Sequence, residues 1–211
     1  MKKLVISQRV DEHKVYSERR DGLDQRWFEF ADRLGCAPVP LPNIQADKVD
    51  AYLDTIEPDV IILSGGNTLL AQVEDADDIA PERDQFEAAL LVWGLANKKP
   101  VLGVCRGMQF INHYFGGSTR ELSGHVACRH RVSFAGDISD TAPMDVNSFH
   151  NWGIPPDQLG DELSPLAIAA DGTVEALSHV TQKVAGIMWH PERENPFAET
   201  DLTLVRRLLE L

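Results

Sequence analysis

Two short runs of this sequence carry side chains suited to covalent chemistry. Gly103-Val104-Cys105-Arg106-Gly107 follows the apolar run 101–104 and opens a helical pattern. The Cys105 thiol is therefore expected on a sharp strand-to-helix turn, where the glycines permit strained backbone and close approach. A helix N-terminus favours the thiolate, so the turn that exposes Cys105 would also activate it. Met188-Trp189-His190-Pro191-Glu192 ends a second apolar run in an imidazole, with a carboxylate two residues later. That spacing suits a base and the group that orients it. His190 would take the proton of Cys105 and deliver it to a leaving amine, while Glu192 fixes the ring's tautomer and stabilises its charged form. Taken singly, a buried structural cysteine and a structural strand-end histidine account for either run equally well. Their conjunction is what favours acyl transfer by a cysteine nucleophile.

The elements that must position these residues alternate between short β-rich runs and helical patterns, the signature of a parallel sheet covered on both faces. Leu4-Val5-Ile6 reads as a first strand. A helix is expected near 24–34, where Trp27, Phe30 and Leu34 recur at helical spacing and Gly35 supplies the stop. Val39 to Leu41 follows as a strand, then a helix near 48–56, then the buried strand Val60-Ile61-Ile62-Leu63, which ends in Ser64-Gly65-Gly66. A strong helix near 83–97 leads to the strand before Cys105, and another helix starts right after it. From about Gly117 the pieces are short and β-like, near 131–134, 144–146, 166–170, 174–177 and 184–188, and this half is expected to be antiparallel or mixed. An amphipathic helix through Leu202, Val205, Leu208 and Leu209 closes the chain. No repeat or linker divides residues 1–211, so one catalytic domain is expected.

Composition excludes several classes of function. Twenty Lys and Arg against 33 Asp and Glu give a net charge of −13, which repels a phosphate backbone and an anionic membrane surface, so neither nucleic acid nor membrane is an expected partner. The longest apolar stretch, 88–96, is about half of what a spanning helix needs. The opening Met1-Lys2-Lys3 is followed by too short an apolar run for a signal peptide, and the three cysteines form no disulfide framework, so a cytoplasmic location is expected. His125, Cys128 and His130 have a loosely metal-like spacing but no fourth ligand nearby, so this stretch reads as a solvated loop and neither metal nor cofactor is expected. The acidic stretch from Glu74 to Glu87 reads as a solvated loop and helix start, and 9–26 is charge-balanced, with arginines able to grip a phosphate or simply to face water.

Cys105 on its elbow and His190-Pro191-Glu192 late in the chain together resemble the class I glutamine amidotransferase-like family, and the resemblance covers essentially the whole chain. It implies an α/β fold, a flavodoxin-like three-layer sandwich with a mostly parallel central sheet flanked by helices. It also implies a Cys105, His190, Glu192 triad. Ser64-Gly65-Gly66 matches the family's glycine turn, so Gly66 and Arg106 would supply the oxyanion-hole N–H groups, and Gly65 and Gln109 would line the substrate site. Asn147-Ser148-Phe149-His150 is similar to the segment that holds a glutamyl group, largely through backbone. Cys105-Arg106-Gly107, the pattern of Arg83, Asp84 and Glu87, and Ser7-Gln8-Arg9 look like the free-standing γ-glutamyl hydrolase branch, although Arg83 to Glu87 also reads as a surface salt bridge. Ser7-Gln8-Arg9, Leu23-Asp24 with Trp27, and Gly103 to Gly107 further resemble hydrolases of nucleotide-linked γ-glutamyl amidates in capsule phosphoramidate synthesis, so the segment from Arg9 to Arg26 is expected beside the mouth of the pocket, with Arg9 or Arg19 contacting the leaving group. What the resemblance implies is a monomer or homodimer hydrolysing a small γ-glutamyl amide without a cofactor. A glutaminase subunit feeding ammonia to a synthase partner, and a non-catalytic binding module on a related fold, are the other readings.

Overall fold

Strand and helix alternate in the order that the apolar patterning predicts. The computed structural model describes residues 1–73, 75–138 and 140–211. The first half runs β1 (Lys2–Ser7), β2 (Arg9–His13), β3 (Glu18–Gly22), α1 (Arg26–Leu34), β4 (Cys36–Leu41), α2 (Val49–Ile56), β5 (Val60–Leu63), α3 (Pro81–Ala96), β6 (Val101–Val104) and α4 (Arg106–Tyr114). The second half runs β7 (Arg120–Glu121), β8 (Val126–Phe134), β9 (Met144–Phe149), β10 (Trp152–Gly153), β11 (Leu163–Ala169), β12 (Val174–His179), β13 (Val184–Ile187) and α5 (Glu199–Leu208).

Among the described residues, one nine-stranded sheet takes the order β4-β1-β5-β6-β13-β12-β11-β8-β9. Its centre, from β4 to β13, is parallel throughout. From β13 outward the pairings are antiparallel, as the change of texture after Gly117 predicts. The alternation of side chains along β1 sorts the two covering layers. Leu4 and Ile6 pack with Trp27, Phe30 and Leu34 of α1 and with Leu202 and Val205 of α5. Val5 faces the other way, toward Leu53 of α2, Phe86 and Leu90 of α3, and Met108 and Ile111 of α4. Gly35 ends α1 in the left-handed conformation, with its N–H donating to the Asp32 carbonyl.

The position of β13 decides where the chemistry-bearing runs meet. Although it is the last strand of the chain, it lies between β6 and β12, and Ile187 stands in register with Val104. Parallel strands leave a sheet at the same edge, so Cys105 and His190 emerge side by side. Leu63 is in register with Gly103, and Ile6 with Ile62, so Ser64-Gly65-Gly66 and Ser7-Gln8-Arg9 emerge there too. This carboxyl edge is where open α/β sheets bind ligands.

Three expectations need correction. The charge-balanced 9–26 segment, whose arginines could simply have faced water from a loop, instead holds the β2–β3 hairpin, pairing Arg9 with Gly22 through His13 with Glu18. Glu74 lies outside the described residues, but Glu87, at the other end of the stretch read as solvated, has 0% exposure, as does Arg83. Together they form a buried ion pair rather than a surface one. His125 is buried and His130 lies within β8, so that stretch is not a solvated loop. No helix among the described residues is long and apolar enough to cross a membrane.

Candidate active site

Cys105 sits between β6 and α4 with φ 53° and ψ −106°, a strained conformation for a residue with a side chain. Its N–H donates to the Ile187 carbonyl at 2.8 Å, so β13 holds the elbow from the side. Glycine is obligatory beside it: a Cβ on Gly107 would stand 2.1 Å from the Leu63 carbonyl oxygen. Only that closeness brings the first turn of α4 down onto β5.

His190 Nδ1 lies 2.7 Å from Glu192 Oε1, and both side chains are buried. Since Glu192 occupies Nδ1, the opposite nitrogen, Nε2, is left for the Cys105 thiol, and the two groups stand close enough that each shifts the ionisation of the other. Burial opposes the charged ring, but Glu192 and then Cys105 outweigh it and raise the His190 pKa to about 10. Burial also opposes the thiolate, yet His190 outweighs it, followed by His150 and Arg193, and the Cys105 pKa is lowered. Each partner thus favours the charged form of the other. A thiolate–imidazolium pair is the form in which a cysteine is both nucleophile and supplied with an acid for the leaving group.

Asn147 secures His190. Its Nδ2 donates to the His190 carbonyl at 2.8 Å and to Glu194 Oε1 at 2.8 Å, while its Oδ1 accepts the His190 N–H at 2.9 Å. The amide is fully engaged, so it acts on His190 and leaves only its backbone to meet a ligand. Ser148 is likewise turned inward, donating to the His125 carbonyl at 2.5 Å. Phe149 remains open to solvent, 6.0 Å from the His190 ring and under the Arg193 guanidinium at 4.7 Å. Gln109 is buried, donating to the Trp152 carbonyl at 3.0 Å and accepting from Gln72 Nε2 at 2.9 Å.

A cavity of about 280 Å³ opens over Cys105, walled by Gly66, Arg106, Gln109, Phe149, His150 and His190. A smaller one of about 90 Å³ lies on the far side of His190, against Gly22, Asp24, Trp27 and Glu192. Arg9, Gly66, His190 and Arg193 border both. Gly65 is the partition between Cys105 and the base. A Cβ there would come 2.7 Å from His190 Cε1. Of the basic residues in 9–26, Arg9 alone lines either cavity, and it is paired with Asp11 at 2.8 Å. Arg19 is turned to Glu82 and Glu12, Arg20 to Glu18, and Arg26 to Glu29. Arg193 joins Arg9 unforeseen; as an exposed arginine one residue past Glu192 it carries no periodic or motif signal.

Beneath the glycine turn lies a charge network that its sequence spacing alone does not place. Arg83 donates to the carbonyls of Ser64 at 2.6 Å, Gly65 at 3.1 Å and Gly66 at 2.5 Å. One side chain thus holds all three carbonyls of the turn. Glu87 accepts from Arg83 Nε at 2.9 Å, from Ser7 Oγ at 2.6 Å, and from the Arg106 side chain, which also reaches Asp84. Ser7 Oγ in turn accepts the Ser64 N–H at 2.9 Å. One buried network therefore ties the ends of β1 and β5 to the first turn of α4. Burial raises the Glu87 pKa, but Arg106 and then Arg83 reverse this, and it is lowered overall.

A family model described as Peptidase C26 matches residues 4–192. The chain belongs to the Peptidase C26 family. Within the wider class I glutamine amidotransferase-like group, it is 35% identical over 191 residues to the γ-glutamyl-CDP-amidate hydrolase of Campylobacter jejuni, covering 90% of each chain. It is 30% identical to the putative glutamine amidotransferase-like protein YvdE of Lactococcus lactis, covering 80% of this chain and 79% of that one. Among solved structures, a putative GMP synthase subunit from Thermoplasma acidophilum superposes with a TM-score of 0.70 at 21% identity, covering 100% of this chain and 93% of that one. That likeness establishes the shared sheet and helix arrangement, the mostly parallel centre flanked by helices.

Proposed function

We propose that this protein is a free-standing cysteine hydrolase of γ-glutamyl amides. The observation that carries the reading is the buried Cys105, His190 and Glu192 arrangement, in a chain similar over nine-tenths of its length to a γ-glutamyl-CDP-amidate hydrolase. The Cys105 thiolate attacks the γ-carbonyl carbon, and the negative charge moves onto the carbonyl oxygen, where the N–H groups of Gly66 and Arg106 stabilise it. His190 gives its Nε2 proton to the leaving nitrogen as the C–N bond breaks, leaving a glutamyl thioester on Cys105. Neutral His190 then removes a proton from water, the hydroxide adds to the thioester carbon, and glutamate departs as the thiolate re-forms. The glutamyl group is received in the Cys105 cavity, whose wall includes Gln109 and Phe149; Gly65 borders the smaller cavity instead, and Asn147 and Ser148 line neither of the two.

The leaving group lies toward Arg9 and Arg193, the two guanidiniums bordering both cavities. In a chain of net charge −13 these two guanidiniums, Arg193 and, once released from Asp11, Arg9, are the groups that could meet a phosphate, so a phosphorylated, CDP-linked amidate suits the border better than ammonia. The test is glutamate release by the purified chain, without any synthase, from γ-glutamyl-CDP-amidate, from glutamine and from a plain γ-glutamyl amine. The reading expects turnover by the chain alone with kcat/KM highest for the phosphorylated conjugate, and a loss of at least tenfold in Arg9→Met confined to that substrate. Silence until a synthase is added would instead assign the chain as a glutaminase subunit. Equal losses on all three substrates would remove the phosphate contact.

A further inference from the structure

A second cluster of chemistry-bearing residues stands where β8, β9 and β12 meet. His125 lies just ahead of β8, His130 within it, His150 one residue past β9, and Glu175 within β12. One donor atom from each lies within 4.8 Å of all the others. His125 Nδ1 is 3.7 Å and His150 Nε2 3.6 Å from Glu175 Oε1, and His130 Nε2 is 3.3 Å from Glu175 Oε2. His125 Nδ1, His130 Nε2, His150 Nε2 and Glu175 Oε2 are all buried without a hydrogen-bond partner. Glu175 is 0%, His150 3% and His125 6% exposed and His130 is half-buried, so bulk solvent has little access to these atoms. A buried polar atom left unpaired costs about 1–3 kcal/mol, and here four converge on one point.

The opposite ring atoms determine which lone pairs face inward. His125 Nε2 lies 2.9 Å from Asp171 Oδ2, and Asp171 is itself fixed by the Thr173 N–H and hydroxyl at 3.0 and 2.7 Å. His150 Nδ1 lies 3.0 Å from the Trp152 carbonyl, which can only accept, so that nitrogen carries a proton and Nε2 offers its lone pair. A carboxylate or a carbonyl behind the ring is the support that metal-binding histidines ordinarily have.

We propose that His125, His130, His150 and Glu175 form a structural site for a divalent first-row transition ion, with Zn²⁺ as its natural occupant. Three imidazoles and one carboxylate suit such an ion better than Mg²⁺ or Ca²⁺, which take oxygen ligands. A tetrahedral ion with bonds of about 2.0–2.1 Å sets its donors roughly 3.4 Å apart. The 3.7 and 3.6 Å contacts of His125 and His150 with Glu175 Oε1 approach that edge length, and His130 lies 3.3 Å from the other oxygen, so a small inward rotation of side chains spread over up to 4.8 Å closes the set on an ion. Four protein ligands leave no open position, so the ion does no chemistry of its own. It clasps β8 and β12 to the end of β9, the strand whose Asn147 grips the backbone of His190, and it fixes His150 in the wall of the Cys105 cavity.

Metal retention by the full chain tests this. Protein stripped with a chelator, given Zn²⁺ or Co²⁺ and desalted is expected to keep about one ion per chain and to melt several degrees higher. With Co²⁺ it is expected to show tetrahedral visible absorption with no thiolate band, unchanged in Cys105→Ser. Glu175→Gln and His130→Asn are expected to weaken retention more than 100-fold, and Asp171→Asn by about 10- to 100-fold. Failure of the folded, unmutated chain to retain either ion overturns the proposal, and needs no variant. So does retention that disappears in Cys105→Ser, which would place the ion on the nucleophile, or that persists in folded Glu175→Gln and His130→Asn.

Discussion

Replacing Glu192 by Gln removes one charge while keeping an acceptor of nearly the same shape, and its effect can be worked from the His190 environment. The rise of the His190 pKa from 6.5 to about 10 corresponds, at about 1.4 kcal/mol per unit, to roughly 5 kcal/mol in favour of imidazolium, shared by Glu192 and then Cys105. The 2.7 Å bond from Nδ1 to Glu192 Oε1 is charge-assisted, a class that contributes about 1.5–3 kcal/mol. Losing that amount lowers kcat/KM at pH 7 about 10- to 150-fold and lowers the His190 pKa by about one to two units. The sign follows from the raised pKa. Imidazolium is present below it and lost as pH rises through it, so the wild-type rate falls only near pH 10 and the Gln variant falls at about pH 8–9. A pH profile of glutamate release from a γ-glutamyl amide measures both effects. A variant within twofold of wild type, with an unmoved basic limb, would refute the assignment of Glu192 as the partner of His190.

Three further outcomes are expected. Cys105→Ala and His190→Ala each abolish turnover and their combination is scarcely worse, because residues acting as one unit lose their effect together; multiplied losses in single-turnover assays would show independent roles. Glu87→Gln leaves Arg83 and Arg106 buried against an uncharged side chain, which costs about 3–5 kcal/mol, so Tm by calorimetry is expected to drop by roughly 10 °C. Burial raises the Asp201 pKa from 3.8 to about 6 against the opposing bond from Trp189, so its charge costs stability progressively as pH rises through that window. Asp201→Asn, which keeps the acceptor for Trp189, is therefore expected to add up to about 3 kcal/mol of stability above pH 7, seen as a higher Tm, and to do nothing below pH 3, whereas a gain that is the same at every pH would argue against the burial cost.

What the sequence made legible was local. Gly103 to Gly107 and His190 to Glu192 are short spacings attached to apolar strands, so the turn geometry and the side of the sheet could be reasoned from neighbours. Helix and strand alternation up to Phe115 carried the parallel half in the same way. Arg83 and Glu87 were harder because an i, i+4 spacing shows that two side chains share a helix face, not whether that face points to water. Only the packing of α3 against the Ser64 turn turns the pair inward. The β3 run, Glu18-Arg19-Arg20-Asp21-Gly22, has no apolar residue to signal a strand; its pairing with β2 is made by backbone and by the Arg19–Glu12 ion pair across the hairpin. The His125, His130, His150 and Glu175 cluster was only half visible, in the spacing of His125 and His130. His130 stands opposite Val146 across β8 and β9, and Glu175 comes from β12, a strand that does not pair with β8, so the grouping depends on tertiary structure and not on sequence distance.

The central claim is that this chain alone cleaves a γ-glutamyl amide through a bond to Cys105. The direct measurement is intact-mass analysis of the purified protein quenched during turnover of a γ-glutamyl amide, with free glutamate measured in the same samples. The account predicts one glutamyl group on the peptide that contains Cys105, accompanied by glutamate release, with both absent in Cys105→Ala. Glutamate released by Cys105→Ala at the wild-type rate, or turnover in which no adduct ever maps to Cys105 even when the thioester is trapped with hydroxylamine, would contradict it.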